Sequence, residues 1–166
     1  MSYAIVVSSK TGNTKLLADT ILEVLDANKV NYCGKIAECA KEADTLFIGF
    51  WTDKGTCDEN MKKFLNELKE KKIFLFGTAG FGESKVYFEK IIERVKGELD
   101  SSNEVIGSYM CQGKMPIQVR ERYIALQKEH PADREYELLI RNFDQALAHP
   151  NEADQEQLRR AIEAVL

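Results

Sequence analysis

The chain is poor in the residues that build metal centres and covalent staples. It has two histidines, His130 and His149, and each stands directly before a proline, where a loop is expected. Its four cysteines, Cys33, Cys39, Cys57 and Cys111, contain no Cys-x-x-Cys pair. A zinc site is therefore not expected. No apolar run approaches the roughly 20 residues that cross a bilayer. The apolar run at the start, Ala4–Val7, has no basic region before it, and polar Ser8-Ser9-Lys10 follows at once. It reads as a buried strand and not as a secretion signal. In the absence of such a signal the cysteines are expected to be reduced thiols in a cytoplasm.

An excess of basic residues is missing too. The 23 basic and 27 acidic side chains leave a net charge of -4, and both sides of Gly113 share the deficit. Neither a nucleic acid nor an anionic membrane is an expected partner. No Ser-His-Asp set and no paired catalytic histidines stand out, which disfavours a hydrolase. No internal repeat or low-complexity tract appears.

What is present reads as a folded domain. Hydrophobic residues make up 44% of the chain and charged residues 30%, which argues against disorder. A length of 166 residues fits one compact domain, with room for a modest appendage.

Short β-branched or aromatic runs alternate with helical stripes. Strands are expected at Ala4–Val7, Val30–Cys33, Thr45–Gly49, Ile73–Phe76 and Val105–Met110. Between them lie stripes at helical spacing: Leu17, Ile21, Val24 and Leu25; Met61, Phe64, Leu65 and Leu68; Phe88, Ile91, Ile92, Val95 and Leu99. Gly34–Ala43 is a short connection with room for one helix of a couple of turns. Asp58 and Ser84 are placed as N-caps. This alternation implies right-handed βαβ units and a parallel sheet with helices on both faces. Ligands of such sheets sit beyond the carboxyl ends of the strands. Three loops share that edge: Ser8–Asn13, Phe50–Cys57 and Thr78–Glu83.

After Gly113 only helical patterns follow. One starts near Ile117 and carries Val119, Tyr123 and Leu126, a candidate for the helix that closes the sheet. A second, opened by Asp133, carries Tyr136, Leu139, Ile140, Phe143 and Leu147. Asn151 caps a third, with Leu158, Ile162 and Val165. Residues 1–130 thus read as the sheet domain and 131–166 as a helical extension packed on it or on a partner chain, with a homodimer through these helices as one outcome.

The strongest local signal is Ser9-Lys10-Thr11-Gly12-Asn13-Thr14, between the first strand and the first helix. A helix start offers unpaired N–H groups and partial positive charge, which suit a phosphate. The hydroxyls of Ser9, Thr11 and Thr14 add donors, and Gly12 lets the backbone turn tightly. The alternative is a plain helix cap. The string is neither Gly-x-Gly-x-x-Gly nor a Walker A loop.

This string resembles the phosphate loop of the flavodoxin family, Thr/Ser-x-Thr-Gly-x-Thr. The resemblance implies a five-stranded doubly wound α/β sheet of order 2-1-3-4-5, here with extra C-terminal helices, and noncovalently held FMN. It implies that Ser9, Lys10, Thr11, Gly12, Asn13 and Thr14 wrap the phosphate. It places Trp51, the single tryptophan, and Thr52 in the third-strand loop against the flavin ring. It makes Thr78, Ala79, Gly80, Phe81 and Gly82 the other wall, with Phe81 or Tyr87 as the outer aromatic, and Gly55 a hinge that turns as the flavin changes oxidation state. The string Phe50-Trp51-Thr52-Asp53-Lys54-Gly55-Thr56-Cys57-Asp58, the loop Gly77–Gly82, Cys111-Gln112-Gly113-Lys114-Met115-Pro116 and the helical tail are also similar to a subgroup of flavodoxin-like proteins in anaerobic gut bacteria. Some of these accompany reductases, bilirubin reductase among them.

The implied function is electron transfer between a reductase and an acceptor enzyme, without catalytic residues of its own. Two alternatives stand beside it. One is a small FMN-dependent NAD(P)H oxidoreductase acting directly on an organic substrate. The other is a flavin-free interaction module.

Overall fold

The computed structural model describes residues 1–82 and 84–166, so the loop expected at Thr78–Glu83 is described except for Glu83, which lies outside the described residues. The elements follow one another as β1 (Tyr3–Val7), α1 (Asn13–Val24), β2 (Val30–Gly34), β3 (Thr45–Trp51), α2 (Glu59–Glu67), β4 (Lys72–Ala79), α3 (Lys85–Lys96), β5 (Glu104–Gln112), α4 (Ile117–Glu129), α5 (Glu135–Ala146) and α6 (Glu152–Glu163). The expected helix between β2 and β3 is a tight turn of 3-10 type at Glu38–Glu42. The strands form one five-stranded sheet in the order β2-β1-β3-β4-β5, with every pairing parallel.

The continuous apolar runs are explained by two cores, one on each face of the sheet. Side chains alternate between faces along a strand. Ala4, Val6, Leu46, Ile48, Ile73 and Leu75 point to the core under α2 and α3. Tyr3, Ile5, Phe47, Phe74 and Phe76 point to the other, under α1 and α6. Caps fix where the helices start. The Asp58 carboxylate accepts the Met61 N–H at 2.8 Å, and the Ser84 hydroxyl accepts that of Tyr87 at 3.2 Å. Asn151 and Asp154 form a reciprocal capping box at the start of α6.

The helix that completes the second face is α6 and not α4. Leu158 and Ile162 are fully buried beside Leu17 and Ile21 of α1, and the Gln155 side chain donates to Thr20 Oγ1 at 3.0 Å. Helices α4 and α5 pack on each other, joined by the Arg120–Asp144 ion pair at 2.8 Å, and form a pair inserted between β5 and α6. In α5 the stripe docks through Phe143, which is fully buried, whereas Leu147 is 54% exposed. Periodicity reveals the apolar face of a helix but not the surface that face meets.

Replacing Leu158 with alanine should leave a void beneath α6 and cost about 2–5 kcal/mol. Urea unfolding should show a lower midpoint at unchanged slope. Leu138→Ala, at a position 60% exposed on α5, should stay within about 0.5 kcal/mol of the parent.

Candidate functional site

The carboxyl ends of β1, β3, β4 and β5 bring their loops around one cavity of about 210 Å³. Lys10, Thr11 and Asn13 line it from the first loop, Trp51 and Thr52 from the end of β3, and Thr78, Ala79 and Gly80 from the end of β4. Of the other residues named from the sequence, Ser9, Gly12, Thr14, Gly55, Phe81 and Gly82 stand outside this lining.

Each has a different surrounding. Thr14 is buried behind the loop, where its hydroxyl donates to the Phe50 carbonyl at 3.3 Å and meets Thr78 Oγ1 at 3.1 Å. Ser9 Oγ accepts the N–H groups of Gly12 and Lys15 at 3.2 and 3.4 Å, closing part of the first turn of α1. Gly12 takes the left-handed conformation, φ +88°, immediately before the helix. Phe81 is exposed and meets Tyr87 edge-on at 6.5 Å, and Tyr87 is also outside the cavity wall.

Gly55 lies in a tight hairpin turn. Asp53 and Thr56 exchange backbone hydrogen bonds at 2.7 and 3.2 Å, and Lys54 and Gly55 both have positive φ, 51° and 84°. That pair of angles matches a type I′ turn, which favours glycine. The Gly55 carbonyl accepts a hydrogen bond from the Arg94 guanidinium at 3.1 Å.

Asp58 has a second role beyond the cap expected of it. Its Oδ2 accepts the hydroxyl proton of Ser8 and, at 3.0 Å, the indole N–H of Trp51. The same carboxylate thereby ties the end of β1, the end of β3 and the start of α2. The Lys10 ammonium lies 5.0 Å from the centre of the Trp51 ring, a cation–π contact between two residues of the cavity wall.

The segment Gly113–Pro116 and the start of α4 form the remaining wall, and none of these residues was expected to touch the ligand. The Lys114 carbonyl accepts hydrogen bonds from Asn13 Nδ2 at 2.8 Å and Thr11 Oγ1 at 3.4 Å. Met115 packs on Gly80 so closely that a Cβ there would lie 2.5 Å from its sulfur. The Gly80 carbonyl accepts from Gln112 at 2.9 Å and from Asn142 of α5 at 3.0 Å. Their only signal in the sequence is position, directly after the last strand at the ligand-binding edge.

Chemically, the lining suits an anion. Its wall holds the exposed ammoniums of Lys10 and Lys114, hydroxyls and an amide, and no carboxylate side chain. The side-chain oxygen of Asn13 is buried without a donor among the described residues. An unmet buried acceptor costs about 1–3 kcal/mol, so it marks a place where a ligand donor is favoured.

All four cysteines are free thiols. Burial pushes the Cys57 thiol up to about 11, and burial raises Cys111 as well. Both stay protonated at neutral pH and make poor nucleophiles.

Two outcomes are expected. Asp58→Ala should lower stability by about 0.5–2 kcal/mol through the lost cap, and it should increase acrylamide quenching of Trp51. Unchanged quenching would show that packing alone holds the indole. Ellman's reagent should label Cys33 and Cys39 in the native protein, and Cys57 and Cys111 only after denaturation.

The profile of the family described as Flavodoxin domain matches residues 4–163. A relative named flavodoxin-like domain-containing protein BilS, from Clostridium symbiosum (strain WAL-14163), is 39% identical and the alignment covers 93% of this chain and 90% of the relative. A protein of the same name from Clostridioides difficile (strain CD3) is 35% identical, with the same shares covered. Among solved structures, oxidised Flavodoxin 2 from Bacillus cereus matches with a TM-score of 0.57 at 19% identity, over 99% of this chain and 97% of that one.

Proposed function

This chain belongs to the flavodoxin domain family, and on that premise we propose that it binds FMN and passes electrons to a partner reductase. The observation that carries the reading is the cavity wall: two lysines and a row of neutral donors at a helix start, beside a half-buried tryptophan and without a carboxylate side chain. A phosphate dianion suits such a donor set. FMN supplies reversible redox chemistry when bound. The chain's own residues would bind and orient it.

In this reading the Thr11 hydroxyl, the Gly12 N–H and the Asn13 amide exchange their bonds to Lys114 and Ser9 for bonds to the phosphate, and Lys10 and Lys114 offset its charge. The buried Asn13 oxygen accepts a hydroxyl of the ribityl chain. Trp51, held by Asp58, presents a face to the flavin ring, and Thr52 and Thr78–Gly80 form the opposing backbone. Gly55 serves as the mobile turn, at the cost of its bond to Arg94. The cavity is smaller than the roughly 300–1,000 Å³ of sites that enclose a ligand. It therefore covers part of the flavin and leaves an edge at the surface, as transfer to another protein requires. The free thiols fit a reducing compartment such as the cytoplasm.

A second reading has one observation in its favour. Met115, Pro116 and Val119 wall the cavity from the inserted helical pair. Such a wall suits a small oxidoreductase that takes NAD(P)H and an organic substrate itself. Steady NADPH or NADH oxidation without a partner protein would select this reading over the carrier.

Purified protein should show the visible spectrum of bound flavin after incubation with FMN. Riboflavin, which lacks the phosphate, should bind far more weakly. Thr11→Ala should weaken FMN binding by about 1.5–3 kcal/mol, the worth of a hydrogen bond to a charged group, and leave riboflavin binding nearly unchanged. Equal affinity for the two flavins would refute the phosphate assignment.

A further inference from the structure

A second cleft, of about 580 Å³, opens beside the phosphate loop and shares no wall residue with the cavity described above. We propose that it binds an organic anion, one carrying a carboxylate, sulfonate or phosphate on an apolar body. The end of β1, the turn after β2 and the outer face of α2 form its walls. Its volume lies within the roughly 300–1,000 Å³ of small-molecule sites.

The acids of the cleft wall are paired and its two lysines are not. Glu38 and Glu67 are in its wall, but the Lys41 ammonium clamps both, at 2.7 Å from Glu38 and in direct contact with Glu67. These two hydrogen bonds hold Lys41 above the usual lysine range. Glu59, the other acid at the start of α2, pairs with Lys62 at 3.0 Å. Lys35 and Lys63, both exposed in the wall, take part in no ion pair among the described residues. With Lys41 clamping both glutamates and Asp58 turned to Ser8 and Trp51, Lys35 and Lys63 are the wall charges that face the cleft without a counter-ion.

The neutral groups favour the same ligand. Ser8 gives its proton to Asp58, but Ser9 Oγ accepts from two backbone amides, which leaves its own proton to donate. The exposed Asn60 adds an amide donor at the first turn of α2. Half-buried Ile36 and Ala37 provide the apolar wall, backed by the buried Phe64. An anionic head is thus met by Lys35, Lys63 and Ser9, and an apolar body lies against Ile36 and Ala37. A simple inorganic anion would leave that apolar wall wet, and a cation would meet two ammoniums.

The proposal does not depend on flavin binding. Its probe is anilinonaphthalene sulfonate, compared with phenylnaphthylamine, which has the same apolar body and no charge. The full-length protein should bind the sulfonate at one site, roughly tenfold more tightly than the neutral compound, and Lys35→Gln/Lys63→Gln should remove most of that difference. Amide resonances should shift around residues 35–38 and 60–67, and saturating FMN should not displace the probe. Both lysines are surface residues, so an unchanged amide spectrum of the double variant verifies its fold. Equal binding of the two compounds, wild-type affinity in the double variant, displacement by FMN, or shifts centred on Lys10, Thr11 and Trp51 would each overturn the proposal. Sulfonate bound at this cleft by a protein that takes up no FMN would contradict the flavin reading alone.

Discussion

Asp58 stands where three separate pieces of chain meet. One carboxylate oxygen accepts the first-turn amide of α2, and the other accepts the Ser8 hydroxyl and the Trp51 indole. An ionised carboxylate accepts several donors at once and donates none, which is what this junction requires. The strands it joins, β1 and β3, are neighbours in the sheet, yet α1 packs on one face and α2 on the other. Such a divergence leaves a crevice at the carboxyl ends of the strands, where ligands of doubly wound sheets bind. Both the cavity with Trp51 and the cleft with Lys35 and Lys63 open at this divergence, separated by the Ser8–Thr11 backbone.

The inserted helical pair draws its place from the same edge. It meets the site through Met115 on Gly80 and through Asn142 on the Gly80 carbonyl. A Cβ at Gly80 would press on the thioether, so a side chain there would make Met115 shift. Meanwhile α6 completes the core that α1 begins, so the last residues of the chain hold the sheet together while the residues before them shape the site. The chain order therefore runs from scaffold to site wall and back to scaffold.

Much of this was legible in the sequence, for identifiable reasons. Runs such as Ala4–Val7 and Ile73–Phe76 are apolar at every position because both faces of the sheet are covered, and that pattern is hard to mistake. Strand β3 runs past Gly49 to Trp51, and β4 runs past its apolar run to Ala79, because backbone pairing continues through these residues. Ser9–Thr14 stood out because hydroxyls, glycine and a helix start coincide. Asp58 was legible as a cap, but its bonds to Ser8 and Trp51 are tertiary and leave no local trace. Lys114 and Met115 were missed for the same reason: a polar turn after a strand carries no periodicity, and its value comes from where the sheet delivers it. The exchange of α4 for α6 as the closing helix follows from stripes that record burial without naming a partner.

In the proposed function the Ser9–Thr14 loop and Trp51 belong to one flavin site. Trp51 is the single tryptophan, so its fluorescence reports on that site without background. Titration of the apoprotein with FMN should dim this emission to a stoichiometric end point, as a flavin ring comes to lie against the indole. Emission that stays constant while the flavin spectrum shows binding would place the ring elsewhere and contradict the account.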